Sequence, residues 1–106
     1  MTEALVILCT FPNREEVRQI GTQLVERQHA ACVTLLPAVE SIYRWKGKLC
    51  QESEVLVLMK TTRAAFPRLQ RDLAVLHSYE TPEIIALPVE AGTEPYLAWL
   101  ESHTRV

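Results

Sequence analysis

An unbroken run of apolar residues near the middle of the chain is its clearest pattern. The five residues between Glu54 and Lys60 are all apolar. Such a run predicts a strand that is buried on both faces, and it is too short to cross a bilayer. The preceding segment, Glu40–Gly47, alternates instead and carries aromatic and β-branched residues that suit a half-buried strand. Together with Leu49–Cys50, these segments predict a hairpin that turns near Gly47.

The N-terminal third predicts a strand, a helix and a second strand. Ala4–Phe11 is apolar at both alternating sets of positions, which again predicts burial on two faces. Asn13 is a good helix N-cap, and the apolar residues after it recur at helical spacing to about Gln28. Ala30–Leu36 then predicts a strand. We expect a bend or bulge at Pro37, because proline cannot donate to a sheet ladder.

The C-terminal half predicts a second amphipathic helix, an edge strand and a last helix. The second helix is expected to open at Thr62 or Arg63 and to fail by Ser78. Ile84–Val89 is bounded by prolines, which favours an edge position. Gly92–Pro95 predicts the cap of the last helix. The contacts of that helix are expected from Tyr96, Leu97, Trp99 and Leu100.

The predicted order is β, α, β, β, α, β and a terminal helix, within one domain over residues 1–106. This is the α+β, ferredoxin-like order, with both main helices on one face of an antiparallel sheet. The other face should be polar in a monomer, yet the two doubly apolar strands contradict that. We therefore expect identical subunits to cover it. The alternative is that the terminal helix covers this face alone.

Composition and charge narrow the range of possible functions. The net charge is −2 and no basic run occurs, so nucleic acid is not an expected partner. The apolar N-terminal stretch has no basic region before it, which favours a strand over a signal peptide, and no membrane association is expected. Three cysteines without paired spacing favour free thiols in the cytoplasm. No nucleophile lies beside an evident base and no glycine-rich phosphate loop occurs, so we do not expect an enzyme.

Several stretches, in the same order along nearly the whole chain, resemble the CutA family of divalent-cation tolerance proteins. They are Cys9–Asn13, Ala30–Val33, Ser41–Lys48, Lys60–Thr62, Tyr79–Pro88 and Tyr96–Leu100. The resemblance implies a ferredoxin-like subunit in a cytoplasmic homotrimer similar to PII signalling proteins. It also implies tolerance of copper and other divalent metals, with no established catalytic reaction. One departure is Ser78, where the family usually has proline.

The resemblance further implies that Cys9, Cys32 and His77 bind copper. Two thiolates and an imidazole suit Cu(I), and hold Cu(II) or Zn²⁺ less selectively. No metal is expected to be required for folding. From the residues alone, the alternative is that Cys9 and Cys32 are small core hydrophobes. The two cysteines would converge if the first two strands pair, whereas His77 at a helix end would need a neighbouring subunit to reach both. Cys50 is expected to be an exposed thiol, and His29 and His103 to be surface residues.

Aromatic and charged residues form a second candidate constellation, which predicts either a small-ligand cleft or a subunit interface. Its members are Tyr43, Arg44, Trp45, Lys60, Tyr79 and Glu83. A cleft would favour a second function, that of a PII-like signalling or interaction trimer. Glu80 and Glu83 would add a site for a hard metal ion, although carboxylates at this spacing are common without metal.

Overall fold

The computed structural model describes residues 2–105, and its elements follow the predicted order. The strands are β1 (Ala4–Phe11), β2 (Cys32–Trp45), β3 (Lys48–Thr62) and β4 (Ile85–Pro88), and the helices are α1 (Arg14–Glu26), α2 (Phe66–Leu76) and α3 (Glu94–Ser102). The described strands form one sheet in the order β2-β3-β1-β4, with antiparallel neighbours throughout. This confirms the ferredoxin-like prediction, with α3 as the additional helix.

A side-chain cap marks the start of α1, whereas α2 begins without one. Asn13 Oδ1 accepts a hydrogen bond of 2.8 Å from the Glu16 amide, which confirms the predicted N-cap of α1. The helix α2 begins later than predicted because β3 continues through Thr62. The Thr62 hydroxyl instead accepts from the Ala65 amide at 3.3 Å, and α2 starts one residue further on. None of the helices described between residues 2 and 105 is long and apolar enough to span a membrane.

The hairpin is longer and more continuous than predicted. A register shift between Leu36 and Val39 confirms the bulge expected at Pro37, and β2 continues beyond it to Trp45. Polar residues 51–53 are also part of β3. Pairing with β2 satisfies the hydrogen bonds of their backbone groups, and this does not depend on the polarity of their side chains. The turn lies at Lys46 and Gly47, which both have positive φ, as a tight two-residue hairpin turn requires.

The core lies between α1, α2 and one face of the sheet. It is formed by alternate residues of β1 and β3 and by the apolar stripes of the two helices. Its fully buried large side chains are Ile7, Cys9, Phe11, Val17, Leu24, Val57, Met59, Leu69 and Leu73. Leu5, Ile7 and Cys9 of β1 lie together on this face.

The opposite side of the sheet, which we call the open face, is apolar and only partly covered. Its residues are Val6, Leu8, Leu36, Leu56, Leu58, Ile85 and Leu87. The helix α3 packs Leu97 and Leu100 against Ala4 and Ala31 at one end of this face. Its other expected contacts, Tyr96 and Trp99, are 41% and 40% exposed. Leu36, Ile85 and Leu87 are between 41% and 50% exposed, so α3 alone does not cover the face.

Candidate functional site

The two cysteines of the predicted copper site face opposite sides of the sheet. Cys9 lies directly opposite Val57 of β3, and Cys32 lies opposite Lys60, which in turn pairs with Val6. Residues directly opposite each other in an antiparallel pair share a face. Cys9 therefore belongs to the core, and Cys32 belongs to the open face. The two thiols were expected to converge only if the first two strands pair. They do not pair, because β3 lies between β1 and β2.

Cys9 and His77 do come together. The His77 Nε2 donates a hydrogen bond of 2.8 Å to the Thr10 carbonyl oxygen, and the Cys9 thiol contacts the same oxygen at 3.8 Å. The imidazole stacks on Phe11 with ring centroids 4.4 Å apart and lies 4.8 Å from the Tyr79 ring centroid. Both predicted ligands are buried, His77 at 7% exposure and Cys9 at 0%. One corner of the core thus holds a thiol and an imidazole that contact the same carbonyl oxygen.

Both ring nitrogens of His77 are already in use. The Tyr79 amide donates to Nδ1 at 3.0 Å, and this bond leaves Nε2 as the donor to Thr10. Glu16 Oε2 lies 3.7 Å from Nδ1 and accepts a 3.0 Å hydrogen bond from the Ser78 amide. A metal ion that binds His77 would have to displace either the Tyr79 amide or the Thr10 carbonyl.

Cys9 is held in its protonated form by its surroundings. Burial, together with the negative charges of Glu83, Glu16 and Glu54, raises the pKa of its thiol to about 12. The same three carboxylates give this corner a negative potential. The corner therefore disfavours a free thiolate and favours a cation, so that metal binding at Cys9 would release a proton.

No complete metal site is formed within the described part of one chain. Among residues 2–105, no group of three or more His, Cys, Asp and Glu side chains is close enough to hold an ion. Cys32 is half-buried, with its sulfur 3.5 Å from the Thr34 hydroxyl. Glu80, considered with Glu83 for a hard metal ion, instead lies 3.7 Å from the Lys46 ammonium group. The predicted copper ligands thus form one pair and one separate thiol.

The predicted aromatic and charged constellation is divided among three places. Tyr79 lies in the corner beside His77, and the negative charge of Glu83 contributes to the raised pKa of the Cys9 thiol there. Tyr43, Arg44 and Trp45 lie near the hairpin tip, where Tyr43 donates to Glu52 and Arg44 donates to the Gly47 carbonyl at 3.4 Å. Lys60 lies on the open face, 5.9 Å from the ring centroid of Tyr96.

Glu54 is a site residue that the sequence reasoning missed. It is 7% exposed, and its Oε2 accepts a 2.7 Å hydrogen bond from the Tyr79 hydroxyl. Burial and this bond raise the pKa of Tyr79 above its ordinary value. The only signal in the sequence was its position directly before the apolar run, where a carboxylate is easily interpreted as the solvated end of a strand.

The surface prediction for His29 is wrong. This residue is 7% exposed, and its Nε2 lies 2.8 Å from Asp72 Oδ2, which also accepts from Arg27 at 3.1 Å. Burial alone would raise the pKa of Asp72, but hydrogen bonds from Arg71, His29 and Arg27 outweigh it and lower that pKa. His103 is exposed, as expected, whereas Cys50 is only partly exposed.

Comparison with known proteins identifies what this chain is similar to. The family profile described as CutA1 divalent ion tolerance protein matches residues 5–103. The Divalent-cation tolerance protein CutA of Thermus thermophilus is 46% identical over 99 residues, which cover 93% of this chain and 96% of that protein. The chloroplastic Protein CutA of Arabidopsis thaliana is 38% identical over 102 residues, or 96% of this chain and 56% of the relative. A solved CutA structure from Xylella fastidiosa superposes with a TM-score of 0.95 at 35% identity, covering 98% of this chain and 100% of that one.

Proposed function

The chain belongs to the CutA1 divalent ion tolerance family, and from that premise we propose that it binds divalent metal ions, chiefly copper. This binding would serve the tolerance of, or response to, metal ions and would involve no catalysed reaction. The observation that carries the proposal is the meeting of the Cys9 thiol and the His77 imidazole at the Thr10 carbonyl oxygen.

The chemistry of this corner suits a thiophilic cation. A thiolate and an imidazole are the donors that copper prefers, and they also hold zinc. The carboxylates that oppose ionisation of Cys9 would stabilise a bound cation instead, so the ion would replace the thiol proton. Cys32 is the third candidate ligand, and it would bind copper separately on the open face or reach this corner from another copy of the chain.

Copper titration tests the metal proposal. The wild-type chain is compared with a Cys9→Ser, Cys32→Ser, His77→Ala triple variant by competition against a chelator of known affinity. We expect the triple variant to bind fewer copper ions per chain, or to bind copper more weakly, than the wild type. Cys50→Ser serves as the matched control, because this partly exposed thiol lies in the hairpin and outside the proposed ligand set. Equal copper binding by the wild type and the triple variant would show that these residues are not the copper ligands.

The proposed assembly is a cytoplasmic homotrimer. Its support is the open face, whose half-exposed leucines and isoleucine form a larger apolar surface than monomers usually leave in water. The cytoplasmic location rests on the three free cysteines. Light scattering tests the assembly, since a 12.1 kDa species at micromolar concentration would contradict it. Fractionation of the expressing cells tests the location.

A second candidate function is a PII-like signalling or interaction trimer. The hairpin favours it, because Ile42 and Leu49 are 66% and 72% exposed close to Tyr43 and Trp45. These side chains would bind a small molecule or a partner protein at clefts between subunits. A thermal-shift screen distinguishes the two functions, because a specific ligand raises the melting temperature with its concentration. A response to organic ligands and none to copper would favour this second function.

A further inference from the structure

A cavity of about 480 Å³ lies away from both candidate sites, between the end of β3, the first turn of α2 and the C-terminal end of α3. Its polar lining consists of two arginines, two glutamates and two threonines. These residues are Arg68, Arg105, Glu3, Glu101, Thr62 and Thr104. The two threonine hydroxyls bond each other at 3.3 Å and are buried, so they form a fixed wall.

Within the part of the chain that the structure describes, the guanidinium group of Arg68 contacts backbone carbonyl oxygens and no carboxylate. Its two terminal nitrogens donate to the carbonyl oxygens of Ala64 and Thr104 over 3.4 Å each, and its Nε is buried with no hydrogen-bond partner. No ion pair involving Arg68 or Arg105 is found among residues 2–105. A buried charged donor without an acceptor is costly. The terminal nitrogens, whose bonds to carbonyl oxygens are long, would bind a ligand carboxylate, which matches the geometry of the guanidinium fork.

The opposite charges of the lining limit what such a ligand would be. Glu3 and Glu101 line the same cavity as the two arginines, so the formal charge of the lining is balanced. A phosphate or a dicarboxylate would meet two carboxylates at close range, which is unfavourable. A ligand with one negative and one positive group would satisfy both signs at once.

An apolar pocket adjoins this charged cavity. It measures about 150 Å³ and shares Glu3, Thr62 and Glu101 with the larger space. Ala4, Leu97 and Leu100 supply its apolar lining. A small aliphatic group would fill it, and burial of that group would favour binding in proportion to the apolar area removed from water.

We propose that the two adjoining cavities bind a free amino acid with a small aliphatic side chain. The ligand carboxylate binds at Arg68 and Arg105, and its ammonium group binds at Glu3 and Glu101. Its side chain lies against Leu97 and Leu100. This site is separate from Cys9 and His77, so amino-acid binding does not depend on the proposed metal function.

Calorimetry on the full chain with leucine and three reduced analogues tests the proposal. Glycine lacks the side chain, 4-methylpentanoate lacks the ammonium group, and 3-methylbutylamine lacks the carboxylate. We expect leucine to bind and each analogue to bind at least about tenfold more weakly, as expected for the loss of one charged hydrogen bond or of a buried aliphatic group. No heat with leucine at millimolar concentration overturns the proposal, as does equal binding of 4-methylpentanoate.

Variants locate the site within the chain. Arg68→Gln and Leu97→Ala should each weaken leucine binding about tenfold or more. Arg18→Gln, at an exposed position on α1 that does not line this cavity, should leave leucine binding unchanged. Arg105→Gln is the second test if Arg68→Gln fails to fold, because Arg105 is exposed. Unchanged leucine affinity in folded Arg68→Gln or in Arg105→Gln would overturn the assignment.

Discussion

Cys9 and Cys32 lie on opposite faces of the same sheet, each on a strand that pairs with β3. Their partners on β3, Val57 and Lys60, are an odd number of residues apart. Because side chains alternate along a strand, this spacing places one thiol in the core and the other on the open face. His77 joins Cys9 alone, so two of the three predicted ligands form a unit.

Copper affinity should therefore depend on Cys9 and His77 jointly and on Cys32 independently. In double-variant cycles, Cys9→Ser and His77→Ala should be non-additive, with a coupling free energy of about 0.5–3 kcal/mol. Cys32→Ser should add to either one within about 0.5 kcal/mol, because no shared contact connects it to them. Chelator competition measures each affinity. Strong coupling of Cys32 to Cys9 would instead indicate that a second copy brings Cys32 to the corner.

The raised pKa of Cys9 should make stability fall in alkaline solution. The folded thiol keeps its proton up to about pH 12, whereas the ordinary thiol ionises near 9.0. Between these values the unfolded state binds fewer protons, so the free energy of unfolding falls as pH rises, by up to about 1.4 kcal/mol per unit. Urea unfolding from pH 7.5 to 11 measures this slope. Cys9→Ala should show a shallower slope, and parallel curves for the two proteins would contradict the argument.

Much of this fold could be predicted because its signals are local and periodic. Alternating or unbroken apolar runs marked the strands, and Asn13 marked the start of α1. The start of α2 could not be predicted from propensity alone, because Thr62 is satisfied as the last residue of β3. The polar segment 51–53 was missed for a similar reason, since strand pairing there depends on the opposite arm.

Loss of the Asp72 carboxylate should destabilise the contact between α1 and α2. Asp72→Asn removes the charge that accepts hydrogen bonds from His29 and Arg27, at a cost of about 1–3 kcal/mol near neutral pH. The lowered pKa of Asp72 means that this stability is complete above the ordinary value of 3.8 and is lost as pH falls below it. Wild type should therefore lose more stability between pH 5 and 2 than Asp72→Asn does.

Chemical denaturation of both proteins at pH 5 and pH 2 measures the loss of stability, and denaturation at neutral pH measures the cost of the substitution. Glu15→Gln is the matched control, because Glu15 is an exposed carboxylate in the first turn of α1. If Asp72→Asn and Glu15→Gln behave alike at neutral pH, the hydrogen bonds to Asp72 do not contribute to stability.

A charge at the centre of the open face should prevent assembly. Leu58 is on this face between Leu8 and Thr34. Leu58→Lys would place an ammonium group in the proposed subunit interface, where an unpaired charge is costly. Light scattering should then give the mass of the single 12.1 kDa chain. Val75→Lys on α2 is the control, because this side chain is already 80% exposed, and it should leave the assembly intact. A single-chain mass for unmodified protein would contradict the prediction.

The candidate site was less predictable than the fold because its contacts are between residues distant in sequence. Glu54 and Tyr79 meet across 25 positions, and His29 and Asp72 meet across 43. Residue chemistry marked His77 and the cysteines as candidates. Only the register of β3, however, determines which thiol lies beside the imidazole.

Ser78 supplies a contact that proline at this position could not make. Its amide donates a 3.0 Å hydrogen bond to Glu16 Oε2, which connects the loop after α2 to the first turn of α1. The backbone of the preceding residue, His77, is extended and so compatible with a following proline. Ser78→Pro would lose a charged hydrogen bond worth about 1.5–3 kcal/mol and gain about 0.4–1 kcal/mol from a stiffer unfolded chain. We expect a net destabilisation of about 0.5–2.6 kcal/mol.

The sign of this effect should depend on Glu16. In a Glu16→Ala background the Ser78 amide makes no hydrogen bond to a carboxylate. The substitution Ser78→Pro then only lowers the conformational entropy of the unfolded chain. Ser78→Pro should then become stabilising by about 0.4–1 kcal/mol. Urea unfolding of the wild type, the two single variants and the double variant gives all four free energies. If proline destabilises equally in both backgrounds, backbone strain at position 78 is the cause, and the connection to Glu16 contributes nothing.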